Sequence, residues 1–349
     1  MKKAVIFSFV VVFLLAVSGV GAWADVKAGT TTATRDIVLE EAEEEESGEN
    51  EGGNEEKGKG TDAQVKAGLL NIAEMHKDGF GVTLTSDHAD GVYNIGDKIV
   101  LTFKSEADAY LTILDFTAGG QILVLFPNKW VENNKVLAGQ EISIPAAGQK
   151  FAMKAGGPVG VDVIKAIATN SDVQVLNPDN QELVGPFTIL KDTKIATRDI
   201  LLVDDDAPNG QEEPLKWSVA SLAVMTKDPE NAEKPTGFGV AQSGGGSVKI
   251  WTNGTSFLEG ELVFLHILSD KPAKLVSLVN QGASKKENNL LPEGLDISVA
   301  AGEILVLPRK DDKWKLVAAA DPGKDTIKCK LVAEDGSEIE LSLDVLVEE

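Results

Sequence analysis

From Leu69 onward the chain alternates apolar and polar positions in short runs, broken by glycine, asparagine and proline. Residues 80–85 alternate, residues 99–104 follow a Gly96-Asp97 turn, and residues 109–116 follow the polar Ser105-Glu106-Ala107-Asp108. Ala118-Gly119-Gly120 then turns into residues 121–126, the spacing of a hairpin. Residues 142–144, 151–154 and 161–169 return across the same unit. About seven short strands with turn residues between them, and no useful helical period, predict an antiparallel β-sandwich of the Ig-like kind. Pro127 and Pro145 each close a strand, since proline has no N–H to donate to a ladder.

The pattern then repeats. The heptad Ala33-Thr34-Arg35-Asp36-Ile37-Val38-Leu39 returns, nearly unchanged, as Ala196-Thr197-Arg198-Asp199-Ile200-Leu201-Leu202. Gly96-Asp97-Lys98-Ile99 corresponds to Gly260-Glu261-Leu262-Val263, Gly79-Phe80-Gly81-Val82 to Gly237-Phe238-Gly239-Val240, and Lys150-Phe151 to Lys313-Trp314. Asn133-Asn134 pairs with Asn288-Asn289, and Glu141-Ile142-Ser143-Ile144 with Asp296-Ile297-Ser298-Val299. Colinear matches of this length predict tandem domains rather than a solenoid. On this alignment the Leu-Val-Leu-Phe-Pro-Asn strand, residues 123–128, and its following Trp130 are missing from the second copy or replaced by a polar turn.

The N-terminus changes the picture of where the protein works. Lys2 and Lys3, an apolar run from Val5 to Val17 and the small-x-small site Ala22-Trp23-Ala24 form a signal peptide over residues 1–24. The run is shorter than the roughly 20 residues of a membrane span. The expected mature protein is therefore periplasmic, secreted or surface-associated, with no membrane span after signal cleavage. A Thr-rich lead-in and an acidic linker occupy residues 25–60. Ten glutamates between Glu40 and Glu56, with five glycines up to Gly60, cannot bury enough surface to offset the entropy of ordering them, so the linker is expected to be disordered. Sandwich domain 1 is expected over 61–190, and a degenerate second sandwich over 191–349.

Charge narrows the partners. The 33 basic residues less Lys2 and Lys3 stand against 55 acidic ones, so the mature net charge is −24. A surface this acidic repels nucleic acid and offers no basic phosphate-binding stripe. The lone Cys329 makes no internal disulfide, so stability has to come from packing.

Tyr93-x-x-Gly96-Asp97, the run to Tyr110-Leu111, a glycine turn, Leu125-Phe126-Pro127-Asn128, Asn134, Ala138-Gly139 and Ile144-Pro145 occur in one order. This stretch, about residues 80–170, resembles the bacterial family called domain of unknown function 4384. The second copy shares the strand frame and departs at the Leu-Phe-Pro-Asn and Ile-Pro elements. The resemblance implies an exported or surface-associated protein or an accessory module. It carries no catalytic residues over to this chain.

The remaining chemistry is sparse. His76, His88 and His266 have no metal-ligand spacing, no serine sits in a nucleophile elbow, and Gly244-Gly245-Gly246 lacks the Lys and Ser/Thr of a phosphate loop. No catalytic residue, metal or cofactor is assigned. The candidate binding loop is Phe126, Pro127, Asn128, Trp130, Asn133 and Asn134. Trp130 either presents its indole to a sugar or partner protein or folds back onto the core, the commoner fate of tryptophan. The expectation is a non-catalytic interaction module binding an envelope protein or glycan. The alternative is an assembly subunit in which the Ala33 and Ala196 heptads donate strands.

Overall fold

The computed structural model describes residues 37–41, 79–149, 151–173, 181–184, 187–190, 215–231, 233–243, 246–282, 285–309, 312–319 and 322–348. The expected signal segment, most of the lead-in and acidic linker, His76 and the Ala196 heptad lie outside them. The described chain is all-β except for one 3-10 turn, Pro229–Asn231. It builds two β-sandwiches, as the alternating runs predict.

Four sheet layers stack, with three apolar cores between them. The first outer sheet is Val82–Ser86, Leu101–Ser105 and Glu141–Ile144, supplemented by the pair Lys98–Ile99 and Met153–Lys154. It packs through Leu84, Phe103 and Ile144 onto Leu111, Ile113 and Ile164 of an eight-stranded sheet. That sheet runs from Gln181–Val184 and Phe187–Leu190 through Ile122–Phe126, Ala109–Phe116, Gly160–Thr169 and Trp217–Lys227 to Val92–Asn94. Its other face, with Leu114, Phe116, Ile167 and Trp217, meets Trp251, Leu268 and Val306 of a four-stranded sheet and Phe264 just before its strand Leu265–Ser269. The reverse of that sheet closes on the last layer, which contains Ala273–Gln281, Gly323–Ala333 and Glu338–Glu348.

Burial explains which strands alternate. Gly160–Thr169 and Ala109–Phe116 are buried almost throughout because both faces of their sheet are covered. Glu338–Glu348 has one wet face, and its buried and open positions alternate.

Two features depart from the domain expectation. Trp217–Lys227 lies beyond the boundary expected at 190/191, yet it pairs along its length with Gly160–Thr169, Ile164 opposite Leu222. Ile37–Glu41 falls within the segment assigned to lead-in and linker, and it pairs with Trp314–Ala318 of the second sandwich. Hydrogen-bonding capacity at a sheet edge, rather than proximity in sequence, decides both.

The register also corrects the repeat alignment. Val82–Ser86 lies on Leu101–Ser105 as Gly246–Thr252 lies on Leu265–Ser269, so Val82 matches Val248 rather than Val240. Ile144 sits opposite Leu101 and Leu307 opposite Leu265, so Ile144-Pro145 matches Leu307-Pro308; both peptide bonds are cis. The strand said to be lost is present: Glu287–Asn289 lies on Ala273–Gln281 where Ile122–Phe126 lies on Ala109–Phe116. Asn289 opposite Val279 takes the place of Val124 opposite Leu114, making Leu290-Leu291-Pro292 the counterpart of Leu125-Phe126-Pro127. A bulge between Leu275 and Ser277 shifts the spacing that colinear comparison relied on.

Lys249 links the inner layers. Its Nζ crosses to donate to the Ala223 carbonyl at 3.0 Å, and burial holds its pKa below the usual lysine range. Gly91, at φ 69°, makes room, because a Cβ there would lie 2.6 Å from that Nζ.

Because the sandwiches share an apolar face, they are expected to unfold as one unit. Trp251→Ala should cost about 3–5 kcal/mol and lower a single calorimetric transition. Two transitions, of which only one moves, would show that the sandwiches fold independently.

Candidate functional site

The loop after Ile122–Phe126 is shaped by its own polar residues. Asn128 Nδ2 donates to the Leu125 carbonyl at 2.8 Å, while its Oδ1 accepts from the amides of Trp130 at 2.9 Å and Val131 at 3.1 Å. Asn128 and Val131 also exchange backbone bonds at 3.0 Å. This buried asparagine fixes a tight turn and throws Trp130 outward, 49% exposed. The indole lies on the Phe151 ring, centroids 6.4 Å apart and planes 12° from parallel.

The six expected loop residues therefore divide. Phe126 is core, and Pro127 is half-buried beside it. Asn128 is the turn's internal fastener. Asn134 holds the loop's end through its carbonyl, which accepts from the Leu111 amide at 2.9 Å. Trp130 and Asn133 face solvent, and Asn133 Oδ1 also caps the Lys135 amide at 3.1 Å. Sequence reasoning missed Phe151 as the ring beneath Trp130, although its match to Trp314 in the repeat was a usable signal. Trp314 is buried. Between Pro292 and Ile297 the second sandwich has a shorter loop with no aromatic residue, so the indole is what distinguishes the first sandwich.

The resemblance residues are frame rather than site. Tyr93 is fully buried, donates to Asp87 Oδ1 at 2.7 Å, and has its pKa pushed up to about 12, chiefly by burial. Gly96, at φ 93°, makes the turn that Asp97 Oδ2 closes on the Asn94 amide at 2.8 Å. The second sandwich repeats this with Gly260 at φ 77° and Glu261 Oε2 on the Leu258 amide at 2.8 Å.

Two of the three histidines lie among the described residues, His88 exposed and His266 buried. His88 stacks on Tyr93 at 4.2 Å and its Nδ1 lies 2.8 Å from the Val92 carbonyl. His266 is buried between the inner sheets and stacks on Trp251 at 5.2 Å. At the join of the sandwiches a cleft of about 210 Å³ is lined by Phe116, Pro158, Thr252, Asn253 and His266. Cys329 is buried, and its thiol is pushed up to about 12 by that burial. Among the described residues no group of three or more His, Cys, Asp or Glu is placed to hold a metal ion. No helix of the described residues is long and apolar enough to cross a membrane.

One electrostatic contrast separates the copies. Asp115, opposite Ile164, and Asp162 hold the positions of Asn280, opposite Ile327, and Asp325. In the second sandwich Asn280 Nδ2 donates to Asp325 Oδ2 at 2.9 Å. In the first, two carboxyls face the same problem: Asp162 Oδ1 accepts from the Ala118 amide at 2.6 Å, and buried Asp115 has no amide to give. Burial, then the Asp162 charge, hold the Asp115 pKa well above the usual carboxylate range.

The geometry defines a β-sandwich protein whose first sandwich presents the exposed Trp130 on a hydrogen-bonded turn. Residues 92–172 match the family described as "Domain of unknown function (DUF4384)". No curated protein matches the chain. Similar solved structures include a Salmonella alpha-2-macroglobulin mutant, at 12% identity over 78% of this chain, TM-score 0.21. They also include the Yersinia pseudotuberculosis adhesin InvE, at 9% over 77%, TM-score 0.20. The native conformation of E. coli alpha-2-macroglobulin matches at 12% over 77%, TM-score 0.20. The chain spans 17%, 58% and 23% of those three chains respectively.

The carboxyl pair makes stability fall as pH rises. Above the ordinary aspartate pKa the unfolded chain has released its proton while folded Asp115 keeps one, so folding is progressively disfavoured up to the raised value. Asp115→Asn, which copies Asn280, should add about 1–3 kcal/mol at neutral pH. It should also flatten the profile above the ordinary aspartate range in denaturant titrations. An unchanged profile would remove Asp115 as its source.

Proposed function

We propose that this is a non-catalytic interaction protein of the bacterial envelope, periplasmic or surface-associated, whose first sandwich binds an envelope protein or glycan through the Trp130 loop. The carrying observation is the half-exposed indole, held by Asn128 on a turn that leaves little conformational freedom to lose on binding. A flat aromatic face supported by Phe151 suits a sugar ring or an apolar side chain, and tryptophan is over-represented among interface hot spots. The acidic surface favours neutral or basic partners over nucleic acid and anionic lipid. The second sandwich acts as a rigid support, sharing its inner sheet face with the first.

A second reading rests on a separate observation. Ile37–Glu41 pairs with the edge strand Trp314–Ala318, so the second sandwich has an edge competent to accept a strand. Exchanged between chains, that strand would link copies into an assembly. Mass measurement of the mature protein and of a form lacking residues 25–60 tests it, and monomers in both cases would rule it out.

For the main reading, Trp130→Ala should weaken binding on a glycan array or in envelope-extract pull-downs by at least about tenfold, the loss of a modest hot spot. Thermal stability should change by no more than about 1 kcal/mol, the worth of the stack on Phe151. Equal binding by both proteins would remove the loop from consideration.

A further inference from the structure

The two sandwiches share a strand-accepting edge, and only one of these edges has its occupant among the described residues. In the second sandwich Trp314–Ala318 lies between Leu262–Val263 on one side and Ile37–Glu41 on the other. In the first, Met153–Lys154 pairs with Lys98–Ile99 in a two-stranded sheet.

The edges are equivalent bond for bond. The Gly96 amide donates to the Ala155 carbonyl at 2.9 Å and the Ala155 amide to the Asp97 carbonyl at 2.9 Å. The Gly260 amide donates to the Ala318 carbonyl at 2.7 Å and the Ala318 amide to the Glu261 carbonyl at 3.0 Å. The side chains beneath agree as well, Met153 and Ala155 being buried like Leu316 and Ala318.

The strand that fills the second edge is the end of the heptad Ala33 to Leu39, and the chain carries that heptad twice. We propose that the second heptad, through Ile200, Leu201 and Leu202, is the occupant of the first sandwich's edge along Met153–Ala155. Each sandwich edge is then filled by one copy of the heptad.

Chain length permits the docking. Nine residues separate Leu190 from Ile200, a reach of roughly 33 Å, against about 24 Å for the five strand spacings that lie between Phe187–Leu190 and Val92–Asn94 in the eight-stranded sheet. Twelve residues separate Asp204 from Trp217, which already pairs in the first sandwich.

Register transfers directly. Ile37 faces Ala318, Val38 faces Val317 and Leu39 faces Leu316. By equivalence Ile200 faces Ala155, Leu201 faces Lys154 and Leu202 faces Met153. The acceptor reads backbone N–H and C=O groups along the edge. Alternate apolar side chains set the face, so a one-residue slip would point the wrong set inward.

Disulfide trapping in the full-length protein tests the pairing and its register. Directly opposed residues of an antiparallel pair have Cα atoms about 4.5–5.5 Å apart, within the range a disulfide spans. The native Cys329 is buried and does not compete. Lys154→Cys with Leu201→Cys should cross-link within the monomer to the same extent as the reference pair Val38→Cys with Val317→Cys. The slipped pair, Lys154→Cys with Ile200→Cys, should cross-link at least about tenfold less, because neighbouring side chains point to opposite faces.

Failure of the Lys154/Leu201 pair beside a positive reference overturns the proposal. Cross-linking found only in dimers overturns it in favour of a strand from a second copy. Hydrogen exchange on the unaltered protein gives an independent readout. Amides of residues 200–202 should exchange at rates like those of residues 37–41, and exchange at the free-chain rate overturns the docking.

Discussion

The contact on which the rest of this molecule depends is the apolar seam between the two inner sheets. Leu114, Phe116, Ile167 and Trp217 on one side meet Trp251, Phe264, Leu268 and Val306 on the other. Dry side chains packed face to face contribute through the area they remove from water, and a sheet covered on both faces gains that contribution twice. The seam makes the tandem sandwiches one four-layer body, and it places Lys249 and His266 in positions where polar groups are normally costly. Lys249 meets that cost by reaching the Ala223 carbonyl.

The two sandwiches keep one frame and differ at particular residues. The family-like residues Tyr93, Gly96, Asp97, Gly139 and the Ile144-Pro145 pair set turns and strand ends, and the second sandwich reproduces these with Phe257, Gly260, Glu261, Gly302 and Leu307-Pro308. What the second sandwich lacks is two residues of the loop that carries Trp130, and the indole on it. Matching Asp115 and Asp162 with Asn280 and Asp325 shows a second divergence, one that exchanges a hydrogen-bonded amide for a carboxyl that has to hold its proton.

Strand pairing also frees the architecture from chain order. Trp217–Lys227 completes the sheet of the first sandwich, and Ile37–Glu41 the edge of the second, although each lies on the far side of an expected boundary. Backbone donors and acceptors on an open edge do not distinguish near from distant sequence. The nearest chain of suitable alternation that the linkers can deliver takes the place.

Much of the fold was legible in the residues themselves. Period-two runs such as residues 80–85 and 99–104, the Gly96-Asp97 turn and the strand-ending prolines depend on local backbone chemistry, so reading them needs no partner strand. The heptad's echo was also visible, because it is a direct sequence identity. The pairing of strands was not, since a bulge after Leu275 or a shift of two loop residues moves every later equivalence without changing the pattern of any one strand. For the same reason the second copy's Glu287–Asn289 read as a polar turn: its polar side chains hide a pairing made by backbone groups. Sequence determined that there would be two sandwiches of short strands. Tertiary structure decided which strands complete which sandwich, that the sandwiches share a core, and that Trp130 stands outside it, because each depends on long-range register and burial.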